Sequence, residues 1–190
     1  MVAVPMSGMG RTANGTTRLQ IAAYIGRSLT SRAIQIMTRA GFNGPSHVAI
    51  RDTVTGLVYE AWDAHGVRII PHLGCDHTPG TRVDLYDWPL TTVDQERVLE
   101  FCRAQVGRGY DYLGILGFVT KRPRDAADKW FCSELVTAAA RLTANPIIVR
   151  TNPRNVAPVH VCWSPTLHYH GSVQTRADGT DLLPYRLPTY

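Results

Sequence analysis

Short runs of apolar, β-branched and aromatic residues dominate the first half of the chain. They cover residues 19–24, 46–50, 57–62, 66–71 and 82–86. Turn-forming residues such as Asn43-Gly44-Pro45 and the segment 51–56 lie between them. Runs of this length with short polar connections are typical of β-strands joined as hairpins. The pattern therefore predicts an antiparallel β-meander, with one hairpin over residues 46–62.

Other segments carry the periodicity of helices. The pattern predicts helices over about residues 28–41, 91–107 and 131–142, and a shorter one over 110–118. Thr92 and Gln95 approximate a capping box at the start of the second helix. The third helix is poor in charge, so we expect it to be buried on most sides. Cys132 lies in its first turn.

The chain has 190 residues, 44% of them hydrophobic, which is enough for one sizeable core. Residues 1–18 are rich in Gly, Thr and Ser and are interpreted as a loose N-terminal arm. Residues 19–158 form the predicted domain, with a further short strand at 147–149. Residues 159–190 have little periodicity and are interpreted as an extension that packs on a partner or runs along the domain's own surface.

The formal net charge is +5, but the basic residues are scattered. Scattered charge does not favour nucleic-acid binding and suits an acidic polymer or an acidic partner protein. No apolar run reaches the length of a membrane span, and residues 1–15 lack the order of a signal peptide. We therefore expect a soluble protein that is made in the cytoplasm.

Cys132 is the thiol with the most suggestive surroundings. The four cysteines form no C-x-x-C pair, so neither a disulfide framework nor a zinc ribbon is predicted. A thiol at a helix start faces free backbone N–H groups and the positive end of the helix dipole, which favour a thiolate. Glu134 opposes this, unless its carboxylate points away. The alternative is a small buried hydrophobic residue in an Ala-rich helix.

His47 and Glu60 lie on the two arms of the predicted hairpin. If they oppose each other directly, the turn is centred between Thr53 and Val54, where the turn-forming residues lie. Cross-strand neighbours are close enough for a carboxylate to hold an imidazole. His47 is then a candidate general base and Glu60 the group that orients it. The alternatives are a structural histidine and a solvated strand residue.

His72, Cys75 and His77 form a compact H-x-x-C-x-H cluster. Only three potential ligands are local, and the loop looks exposed, so no metal site is predicted there. No cofactor is expected either.

Four segments together resemble a known family. They are Ser46-His47-Val48-Ala49-Ile50, Val58-Tyr59-Glu60-Ala61, Gly109-Tyr110-Asp111-Tyr112-Leu113-Gly114 and Trp130-Phe131-Cys132-Ser133-Glu134-Leu135-Val136. Their order resembles the circularly permuted NlpC-type cysteine hydrolases, the YiiX-like permuted papain-fold amidases, which are distant relatives of lecithin retinol acyltransferase. Ordinary members place the cysteine helix before the histidine strand, and permuted members place it after. The resemblance covers residues 19–158.

The resemblance implies an α+β fold in which an antiparallel meander or barrel packs against the cysteine helix. It implies Cys132 as nucleophile, His47 as general base and acid, and Glu60 as the third member. Ordinary NlpC-type enzymes use His, Asn or Gln in that third place, so Glu60 rests on the permuted relatives and on the hairpin register. Ser133, Tyr110 and Tyr112 are candidates for substrate binding or oxyanion support, although a role as core aromatics is the more common one for such tyrosines.

The implied activity is cleavage of amide bonds, with peptidoglycan stem peptides as the substrate class. One alternative is an acyl-thioester enzyme acting on lipids, although the apolar anchor of such relatives is not found. Another is an inert assembly protein, for example in a phage tail, in which the N-terminal arm and the C-terminal extension contact neighbours. The two ideas combine in a hydrolase that a virion delivers to the cell wall.

Overall fold

The computed structural model describes residues 17–37, 41, 43–63, 65–111, 128–176, 178 and 183–184. The strands are β1 (Leu19–Ile25), β2 (His47–Asp52), β3 (Val58–Trp62), β4 (Gly66–Ile70), β5 (Arg82–Asp87), β6 (Gly109–Tyr110), β7 (Lys129–Trp130), β8 (His168–Gln174) and β9 (Leu183–Pro184). The helices are α1 (Leu29–Met37), α2 (Thr92–Gln105), α3 (Cys132–Ala140) and α4 (Pro158–Cys162), with a 3-10 turn at Pro153–Asn155. The α+β class is confirmed.

The main sheet of the described residues is antiparallel throughout. Its strand order is β4-β3-β2-β1-β5-β8-β9. The five strands predicted in the first half of the chain are all present, and β2, β3 and β4 follow one another as a meander. β1 lies between β2 and β5, so β5 joins the sheet on the far side of β1 and does not continue the meander. β6 and β7 pair separately, in parallel.

Both faces of the sheet are covered. Along β1, Ile21 and Ala23 belong to one core cluster, whereas Ala22 and Tyr24 belong to the other, and all four are almost fully buried. Residues of α2 and α3 complete the first cluster, and the loop between β4 and β5 contributes Leu73 to the second. Burial on both faces explains why β1 reads as a nearly continuous apolar run.

Local sequence explains where the two long helices begin. Thr91 caps α2, because its side chain accepts a hydrogen bond from the Asp94 backbone N–H at 3.2 Å. At α3 the Phe131 N–H donates to the Glu134 carboxylate at 3.4 Å. Eight of the nine residues of α3 are buried, so the prediction of a buried helix is confirmed. It ends at Ala140, two residues before the predicted end.

Two predicted elements need comment. Residues 147–149 form bends and no strand, so that prediction is wrong. They follow Pro146, and Ile147 packs in the core without a strand partner. Of the predicted helix 110–118, Tyr110 lies in β6 with its backbone paired to Trp130, and the part from 112 onward lies outside the described residues.

Residues 168–174 belong to the predicted C-terminal extension, and the structure orders them within the domain's own sheet. These residues form β8, which pairs with β5 along its whole length. The strand could not be recognised from the sequence, because β8 is half-exposed and its polar residues show little apolar periodicity. Of the predicted N-terminal arm, residues 1–16 lie outside the described residues, whereas Arg18 forms an ion pair with Asp52 at 3.3 Å. No helix among the described residues is both long and apolar enough to cross a membrane.

Truncation after Pro158 is expected to unfold the domain or leave it only marginally stable. The deletion removes β8 together with Val161 and Leu167, which are 0% and 8% exposed. Burying each such side chain contributes about 1.5–3 kcal/mol, against a total stability of about 5–15 kcal/mol for a typical domain. Urea denaturation followed by circular dichroism measures the loss.

The matched control is a chain that ends after residue 178. It keeps β8 and the contacts of Thr175 and Arg176 with the loop between β4 and β5, where Gly74 lies so close to the Arg176 carbonyl that a Cβ atom would be 2.1 Å from it. We expect this control to be nearly as stable as the full chain. Equal stability of both truncated chains would contradict an integral β8.

Candidate active site

His47 and Glu60 contact each other across the β2–β3 hairpin. The pairs Ile50–Tyr59 and Arg51–Val58 centre the turn between Val54 and Thr55, one residue later than predicted. The predicted direct opposition is therefore wrong by two residues. A shift of two keeps both side chains on the same face of the sheet, because the side-chain period of a strand is two. The histidine Nε2 lies 2.8 Å from the glutamate Oε2.

Cys132 completes the group from a different element. It is the first residue of α3, and its side chain hydrogen-bonds with His47. Since Nε2 of His47 contacts Glu60, Nδ1 is the ring nitrogen left for the sulfur. The structure thus brings together the three residues that the sequence analysis singled out, with the imidazole between thiol and carboxylate.

The electrostatics of the group favour a charged imidazole. Burial alone would lower the pKa of His47, because it disfavours the cation. The negative charge and hydrogen bond of the Cys132 sulfur, followed by the hydrogen bond and charge of Glu60, outweigh burial and raise the pKa of His47 to about 9. His47 is therefore protonated at neutral pH.

Arg68 holds the other side of the Glu60 carboxylate. It lies directly opposite Glu60 on β4, and its Nε and Nη2 atoms lie 2.9 and 2.7 Å from Oε1. Burial of Glu60, which is 0% exposed, would raise its pKa, but hydrogen bonds from His47 and His77 and the charge of His47 hold the pKa well below its usual range. Glu60 is therefore an anion with both oxygens engaged.

His77 is a member of the site that the sequence analysis did not place there. Its Nε2 lies 3.3 Å from the same Oε2 of Glu60, and its ring stacks on Tyr24 with centroids 4.0 Å apart. Trp62 meets the same ring edge-on at 4.4 Å. Burial is the main reason why the pKa of His77 is lowered, so its imidazole is neutral at neutral pH.

The compact H-x-x-C-x-H cluster is not a site of its own in the structure. His72 accepts a hydrogen bond on Nδ1 from the Gly74 N–H, at 3.2 Å. Asp76 then has a φ of 59°, a left-handed conformation that aspartate tolerates better than most residues, and His77 follows it into the site. A loop of this kind has no periodicity, so sequence patterns carry no signal for the direction of His77. The position of Arg68 beside Glu60, in contrast, could have been predicted from the pairing register of β3 and β4.

A cleft of about 240 Å³ opens beside the group. Its walls come from the start of α1, the ends of β1, β2 and β3, and the loop between β4 and β5. Residues that line it include Tyr24, Ser46, His47, Trp62, His77 and Tyr110. Cys132 itself is 1% exposed, so His47 is the member of the group that faces the cleft.

No protein-family model matches the chain, and no curated protein matches it.

The three candidates for substrate binding or oxyanion support lie in different surroundings. Ser133 was a candidate for oxyanion support, but it is fully buried and its hydroxyl donates to the Val156 carbonyl, so it ties α3 to the following segment. Tyr110 is 9% exposed, packs near Phe131 and lines the cleft, which is compatible with both interpretations given above. Tyr112 lies outside the described residues.

Glu134 does not oppose a thiolate as its sequence position suggests. Its carboxylate accepts from the Arg154 Nε at 3.2 Å and from the Phe131 N–H. Burial raises the pKa of Glu134, while the backbone hydrogen bond and the guanidinium act in the other direction. A carboxylate paired with the Arg154 guanidinium repels a charge on Cys132 less than an unpaired one would.

Proposed function

We propose that the chain is a cysteine hydrolase that cleaves amide bonds, with Cys132 as nucleophile, His47 as general acid and base, and Glu60 as the residue that orients His47. The observation that carries the proposal is the position of the His47 imidazole, hydrogen-bonded to the Cys132 thiol on one side and to the Glu60 carboxylate on the other. Nucleophile, base and orienting group in contact are the signature of covalent catalysis.

The acylation half of the reaction follows from these contacts. The Cys132 thiolate attacks the carbonyl carbon of the amide, and a C–S bond forms. The oxyanion accepts hydrogen bonds from backbone N–H groups at the start of α3, which the helix itself does not use. The His47 imidazolium gives its proton to the amide nitrogen, the C–N bond breaks, and an amine leaves behind a thioester.

Deacylation returns the site to its starting state. Neutral His47 takes a proton from a water molecule, and the resulting hydroxide attacks the thioester carbonyl. The C–S bond breaks, the product leaves as a carboxylic acid, and the thiolate of Cys132 again faces protonated His47. Throughout, Glu60 keeps the imidazole in one orientation, and Arg68 keeps Glu60 in place.

The order of the elements supports a permuted papain-like fold as part of the proposal. The strands that carry His47 and Glu60 precede the helix that carries Cys132, and that helix packs against the same sheet. Stem peptides of peptidoglycan are the substrate class that the family resemblance suggests. The net charge of +5 favours such an acidic polymer.

Alkylation with iodoacetamide at different pH values tests the thiolate. Between about pH 8 and pH 6, Cys132 is expected to keep most of its labelling rate, because His47, with a pKa of about 9, stays protonated over this range. Cys75 is the control within the chain. Burial is the first cause that raises the pKa of its thiol above 9.0, so its rate should fall about a hundredfold over two pH units.

Peptide mapping by mass spectrometry assigns the label to each cysteine. Cys102 and Cys162 should stay unlabelled in the folded protein, because burial raises the pKa of each thiol to about 12. A Cys132 rate that falls in parallel with that of Cys75 would contradict the ion pair. Labelling of all four cysteines at similar rates would favour an inert protein.

A further inference from the structure

The site contains more ligand atoms than the proposed hydrolysis uses. One potential ligand atom from each of His47, Glu60 and His77 lies within 4.8 Å of the other two, and all three residues are buried. They come from two strands and one loop, so the cluster depends on the tertiary fold. Two imidazoles and one carboxylate are a donor set that binds divalent transition metal ions, including Zn²⁺ in hydrolases.

The distances suit a four-coordinate ion. With metal–ligand bonds of about 2.0–2.2 Å, ligand atoms around a tetrahedral Zn²⁺ are roughly 3.4 Å apart. Oε2 of Glu60 lies 3.3 Å from His77 and 2.8 Å from His47. The second distance would lengthen by about half an ångström when the ion replaces the proton that the two atoms share.

The groups around the cluster also suit a metal site. Ligating carboxylates and imidazoles are usually fixed by hydrogen bonds to their other atoms. Arg68 forms an ion pair with Oε1 of Glu60, and the side chain of Cys132 hydrogen-bonds with the other ring nitrogen of His47. His47 and His77 both line the cleft, so a fourth position facing the cleft can hold water.

We propose that His47, Glu60 and His77 bind a divalent transition metal ion, Zn²⁺ foremost, and that the bound ion inhibits the hydrolase. The inhibition rests on the proposed function, whereas the binding site does not. A metal on Nε2 prevents His47 from carrying two ring protons. The one remaining proton, on Nδ1, is held too tightly to pass to the leaving amine, and Nδ1 cannot take a second proton from water, so metal occupancy and amide hydrolysis exclude each other.

Cobalt(II) binding to the Cys132→Ala chain tests the site without the thiol. We expect one equivalent of Co²⁺ with a tetrahedral visible spectrum, displaced by Zn²⁺. Adding His77→Gln to this chain should weaken binding by more than about tenfold, because loss of even a hydrogen-bond partner of a ligand costs about 10–100-fold. The glutamine amide can still donate to Glu60. His65→Ala, at an exposed histidine, is the matched control and should bind normally.

Several outcomes would overturn the proposal. These are no Co²⁺ binding by the Cys132→Ala chain, equal affinity with and without His77→Gln, or loss of binding on Cys75→Ser, which would assign the ion to the H-x-x-C-x-H loop. If circular dichroism shows that a variant does not fold, the test uses the unaltered chain and measures whether Zn²⁺ protects its histidines from chemical modification. Zn²⁺ should then protect the neutral imidazole of His77, but not His65, from diethyl pyrocarbonate, and equal modification with and without Zn²⁺ would refute the site.

Inhibition is measured separately, as the ratio of hydrolysis rates with and without Zn²⁺ and its reversal by EDTA. For the His77→Gln chain, the hydrolysis rates with and without Zn²⁺ should become nearly equal, because the ion binds weakly. If the unaltered chain has no hydrolase activity but binds Co²⁺ as described, the proposed function fails and the metal site stands. If the chain is active and Zn²⁺ inhibits His77→Gln equally, the ion acts elsewhere and the inference fails.

Discussion

Replacing Cys132 by alanine is expected to abolish amide hydrolysis, with a loss of roughly a thousandfold or more. The C–S bond of the thioester cannot form without the sulfur, and removal of a nucleophile from a coupled group usually costs as much as removal of the whole group. The substitution removes one atom from a buried position, so the fold should persist. Release of amino groups from purified peptidoglycan fragments, followed over time, measures the activity.

Cys75→Ala is the matched control for this experiment. Cys75 is a free, partly exposed thiol in the loop that also carries His77, and it has no role in the proposed reaction. We expect its hydrolysis rate to stay within a factor of about three of the unaltered chain. If the unaltered chain hydrolyses the fragments and Cys132→Ala does so equally well, the proposed nucleophile is wrong.

The sequence allowed the proposed catalytic group to be predicted because its members lie on regular elements. His47 and Glu60 are on hairpin strands, where the face of a side chain follows from its parity along the strand. The predicted register was wrong by two residues, and the contact was still correct because an even shift preserves the face. An odd shift would have separated the two side chains.

The parts that could not be predicted lie where backbone periodicity carries no information. His77 enters the site from an irregular loop that turns at Asp76, and neither composition nor spacing indicates its direction. β8 pairs at the far side of β5 through main-chain hydrogen bonds, which do not depend on side-chain identity. Such features depend on long-range pairing, so the tertiary fold reveals them and a local pattern does not.

Loss of the Glu60 charge is expected to destabilise the fold strongly. Glu60→Gln leaves Arg68 and protonated His47 beside a neutral amide in a buried site, and breaking a buried ion pair typically costs about 3–5 kcal/mol. The free energy of unfolding from urea denaturation at neutral pH measures this. Glu96→Gln is the matched control. It breaks the Arg18 pair at a side chain that is 45% exposed and should cost about 1 kcal/mol or less.

The pH dependence of this difference gives a second check. The pKa of Glu60 is lowered in the folded state, so its stabilising contribution is fully present above about 4.5 and is lost as the pH falls below that value. The gap in stability between the unaltered chain and Glu60→Gln should therefore narrow progressively below about pH 4.5. The pKa of His47 is raised to about 9, so its contribution is full below 6.5 and is lost as the pH rises towards 9. The unaltered chain should thus be most stable between about pH 4.5 and pH 6.5. A gap that is independent of pH would mean that Glu60 acts through packing and not through its charge.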